Sequence, residues 1–179
     1  MFKLTIPATE LWNEKTQEFT HVNECALSLE HSLVSLSKWE SKWKKPFLSK
    51  EPKTREESID YIRCMTITQN VDPRVYNLLT NKQMLEIDSY INDSMTATTF
   101  SDTEKKGKDE IITAEIIYYW MVSLNIPFEC QKWHLQKLLT LIKVCSIKNT
   151  PPKKMSTKEV MSRNRALNKA RRAQYKTRG

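Results

Sequence analysis

A chain of 179 residues, 39% of them hydrophobic, is long enough for one ordinary core with an appendage or for two very small domains, and too apolar for a wholly disordered chain. Only two glycines occur, Gly107 and Gly179, which argues against the phosphate-cradling loops of a nucleotide-binding α/β enzyme, since these need positive φ or close backbone approach. The net charge of +8 sits at one end: ten of the 29 basic residues follow Thr150, opposed there by Glu159 alone, while the remainder holds 19 basic and 20 acidic residues.

No apolar run reaches the roughly 18–20 residues that span a bilayer, and the opening MFKLTIPATELW lacks the continuous apolar stretch of a secretory signal, so no membrane association and a location in the cytoplasm of the cell that makes it are expected. Cys25, Cys64, Cys130 and Cys145 are widely spaced and form no C-x-x-C pair; buried thiols are expected rather than disulfides.

In chain order, Phe2, Leu4 and Ile6 alternate as in a half-buried strand, Pro7 ends that run, and Ala26-Leu27-Ser28-Leu29 repeats the period of two. Residues 1–30 therefore read as a small β-meander. Ser32 can cap a helix carrying Leu33, Leu36, Trp39 and Trp43, stopped by Pro46. Thr54 and Glu57 form a capping box before Ile59, Ile62 and Met65, and Asp72-Pro73 starts a further segment with Val75, Leu78 and Leu79. Met84, Leu85, Ile87 and Ile91 mark a short helix. Residues 101–110 read as a solvated loop.

The stretch from Ile111 to Leu124 is apolar almost all round and is expected deep in the core, with Tyr118, Tyr119 and Trp120 inside. After Asn125 and Pro127, residues 127–148 read as one helix with Trp133, Leu135, Leu138, Leu139 and Ile142 on a broad apolar face, an antiparallel neighbour of the one before. Pro151-Pro152 then closes a 1–149 globular domain, β-rich over 1–30 and helical over 31–149. Beyond it Ser156 and Glu159 box the start of a basic helix of about 28 Å, the arm of residues 150–179. Its apolar stripe, Val160, Leu167 and Ala170, is too thin for independent stability, so full helix formation against a partner is expected. The fold class is mainly α (α+β): a small β unit, a helical bundle and a basic helical arm.

Motifs for nucleotide binding and for metallopeptidases are missing, and no catalytic constellation stands out. Cys130 and His134, four residues apart on the expected helix, would share one face and offer two metal ligands, but the other histidines and cysteines show no ligand spacing, and a buried thiol beside an interfacial histidine is the better reading. No catalytic, cofactor or metal residues are assigned, and the chain is read as not an enzyme. Trp39 and Trp43, one turn apart before Lys44-Lys45-Pro46-Phe47, fit a core stripe first and a partner-gripping pair second. The stronger candidates for partner binding are the arm's Lys153, Lys154, Lys158, Arg163, Arg165, Lys169, Arg171 and Arg172, which suit an acidic protein surface, suit phosphates less well, and have a solubilising tail as the bland alternative.

Taken together, LEHSLVSLSKWESKWKKPF, KTREESIDYIRCMTI, MTATTF, ITAEIIYYWMVSLNIPFECQKWHLQKLLTLIKVC and MSRNRALNKARR resemble a group of tailed-bacteriophage proteins, the tail assembly chaperones of long-tailed phages (siphoviruses). The resemblance runs from about residue 2 to the end, with YYW…IPFECQKWHL its most distinctive part. It implies a protein that binds and solubilises the helical tape-measure protein, or other tail proteins, during virion assembly, with homo-oligomers an open partner class. The alternatives are a structural connector or tail-completion protein that stays in the virion, and a non-specific nucleic-acid-binding module using the arm.

Overall fold

The computed structural model describes residues 1–13, 17–100, 111–151 and 156–176. The loop expected over 101–110 and two of the candidate cations, Lys153 and Lys154, lie outside the described residues. The chain is mixed α+β, a small β unit followed by helices.

Four strands come first: β1 (Phe2–Ile6), β2 (Thr9–Asn13), β3 (Glu18–Val22) and β4 (Cys25–Leu29). They close as an antiparallel ribbon with one running register, Phe2 opposite Leu29 through Ile6 opposite Cys25, then Thr9 opposite Val22 through Asn13 opposite Glu18. The gap between the two ladders falls at Pro7 and Ala8, because proline has no N–H to give to a ladder. Leu4 and Ile6, with Leu27 and Leu29 across from them, face the core. On a flat ribbon Trp12 would share their face; instead Val22, of the opposite face, is buried, while Trp12 and Phe19 stand 52% and 68% exposed. The ribbon twists past the proline, as two-stranded ribbons do strongly.

α1 (Leu33–Trp43) begins where Ser32 accepts from the Ser35 amide, with Ser35 bonding back, and ends at Lys44 in the left-handed region. α2 (Arg55–Met65) carries the expected Thr54–Glu57 box. After α2 the chain runs beside β4: the Glu30 amide donates to the Met65 carbonyl at 2.9 Å and the Ile67 amide to the Ser28 carbonyl at 2.8 Å. Asp72-Pro73 does start a helical turn, a 3-10 segment Pro73–Leu78, and a Thr80–Gln83 box opens α3 (Asn81–Ile91).

α4 (Ala114–Ser123) departs from expectation. Only Ala114, Ile117 and Met121, one stripe at helical spacing, are buried; Tyr119 and Val122 point to solvent. Its N-terminus has no cap from Thr113. The buried Glu40 of α1 serves instead, one carboxylate oxygen accepting from the Ala114 amide and the other from the Phe47 amide, both at 2.8 Å.

The single helix expected over 127–148 is broken. A 3-10 segment, Phe128–Lys132, is followed by extended backbone at Trp133, and only then by α5 (Leu135–Asn149). The break has a tertiary cause: His134 bridges to Ser32, and the Leu135 amide donates to the His31 carbonyl at 2.7 Å. A hydrogen bond to a distant strand end has displaced one turn of helix.

Two hydrophobic clusters result. One joins the ribbon (Ile6, Val22, Leu27, Leu29) to Trp39, α2, the Pro73–Leu78 segment and α3. The other joins Leu33 and Leu36 to α4, Ile126, Cys130 and α5. α1 belongs to both, Leu36 on one side and Trp39 on the other, and each fully buried aliphatic contributes roughly 1.5–3 kcal/mol.

The chain divides into two units, Met1–Ser146 and Ile147–Gly179. The second contains α6 (Thr157–Tyr175), opened by the Ser156–Glu159 box and closed at Lys176 in the left-handed region; none of its residues is buried. No described helix is long and apolar enough to cross a membrane.

Candidate partner-binding surfaces

Trp39 and Trp43, one turn apart on α1, stack with centroids 6.1 Å apart, but only one of them reaches the surface. Trp39 is buried among Phe47 and Tyr61, and its indole N–H donates to the Glu57 carbonyl at 2.9 Å. It cannot touch a partner, which corrects the binding role considered for it: an indole whose body and N–H are both satisfied inside is a core residue. Trp43 is half-buried and donates to Asp60 at 2.9 Å. Burial opposes the Asp60 charge, but the Lys42 and Trp43 hydrogen bonds outweigh it and hold the carboxyl below its ordinary range. Trp43 keeps an edge that a partner can reach.

The exposed aromatic groups lie elsewhere. Tyr119 is 68% exposed and Val122 shares its face of α4 one turn on; Phe128 and Trp133, at the two ends of the turn before α5, are exposed as well. This corrects the placement of Tyr119 in the core and of Trp133 on the apolar face of a continuous helix. Tyr118 and Trp120 are only half-buried, Tyr118 donating to Gln131 at 2.9 Å and lying 6.5 Å from the Phe128 ring, and Lys137 sits 4.7 Å from the Trp133 ring. The signal was present in the sequence: Tyr-Tyr-Trp-Met-Val offers more apolar side chains than one helix face can bury.

The first unit also holds a buried polar group. His31, 1% exposed, has Nδ1 2.6 Å from the Tyr61 hydroxyl and its ring 5.2 Å from that of His134. Burial, and then His134, lower the His31 pKa to about 3, and burial pushes the Tyr61 phenol well above its usual range. The Tyr90 carbonyl can only accept, so His134 donates to it from Nε2 at 3.0 Å and keeps a buried, unpartnered Nδ1. Cys130 and His134 do not share a helical face, because the chain between them is not α-helical; the two-ligand arrangement expected of a continuous helix is overturned. Among the described residues no three His, Cys, Asp or Glu side chains are grouped to hold a metal.

α6 displays Lys158, Arg163, Arg165, Lys169, Arg171 and Arg172 against Glu159, whose carboxylate is committed to the Ser156 amide at 2.8 Å. Val160, Met161, Leu167 and Tyr175 are exposed between the cations. No family model, curated protein or solved structure matches the chain.

Large rings next to water give apolar area at little entropic cost, and a helix of cations gives long-range attraction to a negatively charged partner.

Proposed function

We propose that this chain is a non-enzymatic binding protein of bacteriophage tail assembly, a chaperone that covers the apolar stripes of the tape-measure protein and keeps it soluble in the host cytoplasm until the tail is built. The observation that carries the reading is the exposure of aromatic side chains, Tyr119, Phe128 and Trp133, within YYW…IPFECQKWHL, the part of the sequence most like those chaperones. Rings left at the surface supply apolar area and a polar edge for a partner. α6, with six cations and no buried residue, supplies the second, electrostatic contact.

The test is affinity capture from infected cells with the full chain, with Tyr119→Ser/Phe128→Ser, and with a truncation before Pro151. The tape-measure protein is expected with the full chain, in amounts reduced about tenfold by the paired serines, and the protein is expected to be missing from purified virions. Stoichiometric presence in virions would favour a connector or tail-completion component instead. Binding to DNA that weakens steeply with salt and vanishes on truncation would favour the nucleic-acid reading, for which the observation is the cation density of α6.

A further inference from the structure

A groove on the first unit is used by none of the surfaces above. α2 contributes Arg55, Ser58 and Ile62 to it, and α3 contributes Met84, Leu85, Asp88 and Ile91, each set at helical spacing. Its deeper part is a cavity of about 310 Å³ with Phe47, Leu48 and Ile87 in its walls and the His31–Tyr61 pair lining it. A shallower trough of about 510 Å³ continues it and shares Lys53, Ser58, Met84 and Asp88. The deep volume is at the lower end for small-ligand pockets, about 300–1,000 Å³, and suits an anchoring side chain.

Two features make this more than a packing gap. Leu85 is 70% exposed at the trough, a large apolar side chain on the side of α3 away from the buried Ile87 and Tyr90. Lys53 is partly withdrawn from water, which lowers its pKa against the opposing pull of Glu57 and Glu51; its ammonium lies 4.6 Å from the Phe47 ring, and among the described residues no carboxylate closes an ion pair with it. Arg55 stands exposed beside it and Asp88 lies on α3. Of the charged side chains that line the groove, the cations Lys53 and Arg55 stand on the α2 side and the anion Asp88 on the α3 side.

We infer that this groove docks an amphipathic helix of a partner protein, an apolar side chain entering the cavity, acidic residues flanking it toward Lys53 and Arg55, and a basic residue toward Asp88. In taking the partner to be a helical protein the inference rests on the function proposed above. Helices dock in this way through anchors three, four and seven residues apart, and the flanking charges fix their direction.

A fluorescent synthetic helix with a leucine ridge, glutamates on one flank and lysines on the other serves as probe for the full-length protein. Saturable binding is expected, weakened about tenfold by Leu85→Asp and by Lys53→Glu/Arg55→Glu, and unchanged by Lys82→Glu, which lies on α3 outside the groove. A second probe with lysines in place of the glutamates should restore binding to Lys53→Glu/Arg55→Glu, a rescue that mere unfolding cannot produce. No saturable binding, or binding indifferent to Leu85→Asp and to the charge reversal, overturns the groove whether or not tail proteins are captured. Probe binding with the expected rescue but no capture of a tail protein leaves the groove standing and removes the tail-assembly reading.

Discussion

His31 is held as a neutral imidazole between Tyr61 and His134, so acid must charge it against burial. Its folded pKa, about 3, lies below the ordinary 6.5, so the unfolded chain takes up the proton first as pH falls. Stability is whole above about pH 6.5 and is lost as pH drops toward 3, by about 1.4 kcal/mol per pH unit within that window. Urea midpoints at stepped pH should show this slope, and His31→Gln should remove one proton's share of it; an unaltered slope in the variant would move the acid sensitivity to another group. Glu40 makes a different kind of contribution. Its two oxygens satisfy the Ala114 and Phe47 amides inside the protein, so Glu40→Ala leaves both without a partner. At about 1–3 kcal/mol for each donor left unsatisfied, the variant should be destabilised by about 2–6 kcal/mol, nearer the lower figure because the Phe47 amide is only part-buried, and Glu40→Gln, which keeps one acceptor, by less. Equal losses from the two substitutions would mean that side-chain volume, not hydrogen bonding, sets the cost.

At the scale of elements, α6 is the helix whose stability depends most on its own sequence, since no residue of it is buried. Its Ser156–Glu159 box closes through bonds of 3.3 and 2.8 Å, and Ser156→Ala should cost the helix about 1 kcal/mol. Far-UV circular dichroism should lose helix content while the urea midpoint followed by core tryptophans stays put. A shift of that midpoint would mean that α6 contributes to the folding of the first unit. Local signals of this kind were the legible part of the fold. Ser32, Thr54, Asp72 and Ser156 each start a helical segment where the sequence puts one, because a cap needs only neighbours three residues away. What the sequence hid depends on partners far along the chain. The break at Trp133–His134 is imposed by Ser32 and His31. Glu40, an unremarkable acid in the sequence, caps α4 across 74 positions. Tyr119 reads as core by composition and is turned outward because Ala114, Ile117 and Met121 already fill the face that meets α1 and α5. The candidate site was legible as composition, aromatic and basic; which rings reach water, and the groove between α2 and α3, follow only from the packing.

On the scale of the whole molecule, the two clusters of the first unit are tied by one helix. Leu33 and Leu36 complete the cluster with α4 and α5, Trp39 the one with the ribbon, α2 and α3, and Glu40 bonds to the start of α4. If α1 unravels, both clusters lose a wall, so neither has a stable state without the other. Leu36→Ala and Trp39→Ala therefore remove packing from different clusters, at about 2–5 and 3–5 kcal/mol, yet each should lower one shared transition. The probes to compare are tryptophan fluorescence and far-UV circular dichroism, since Trp43 packs on the first cluster and Trp120 on the second. Coincident urea curves are expected for the parent and for both variants, because two-state unfolding makes every probe report the same population. If Leu36→Ala instead separates the curves, with part of the fluorescence change and part of the helical signal lost ahead of the remainder, the clusters unfold independently and α1 does not couple them.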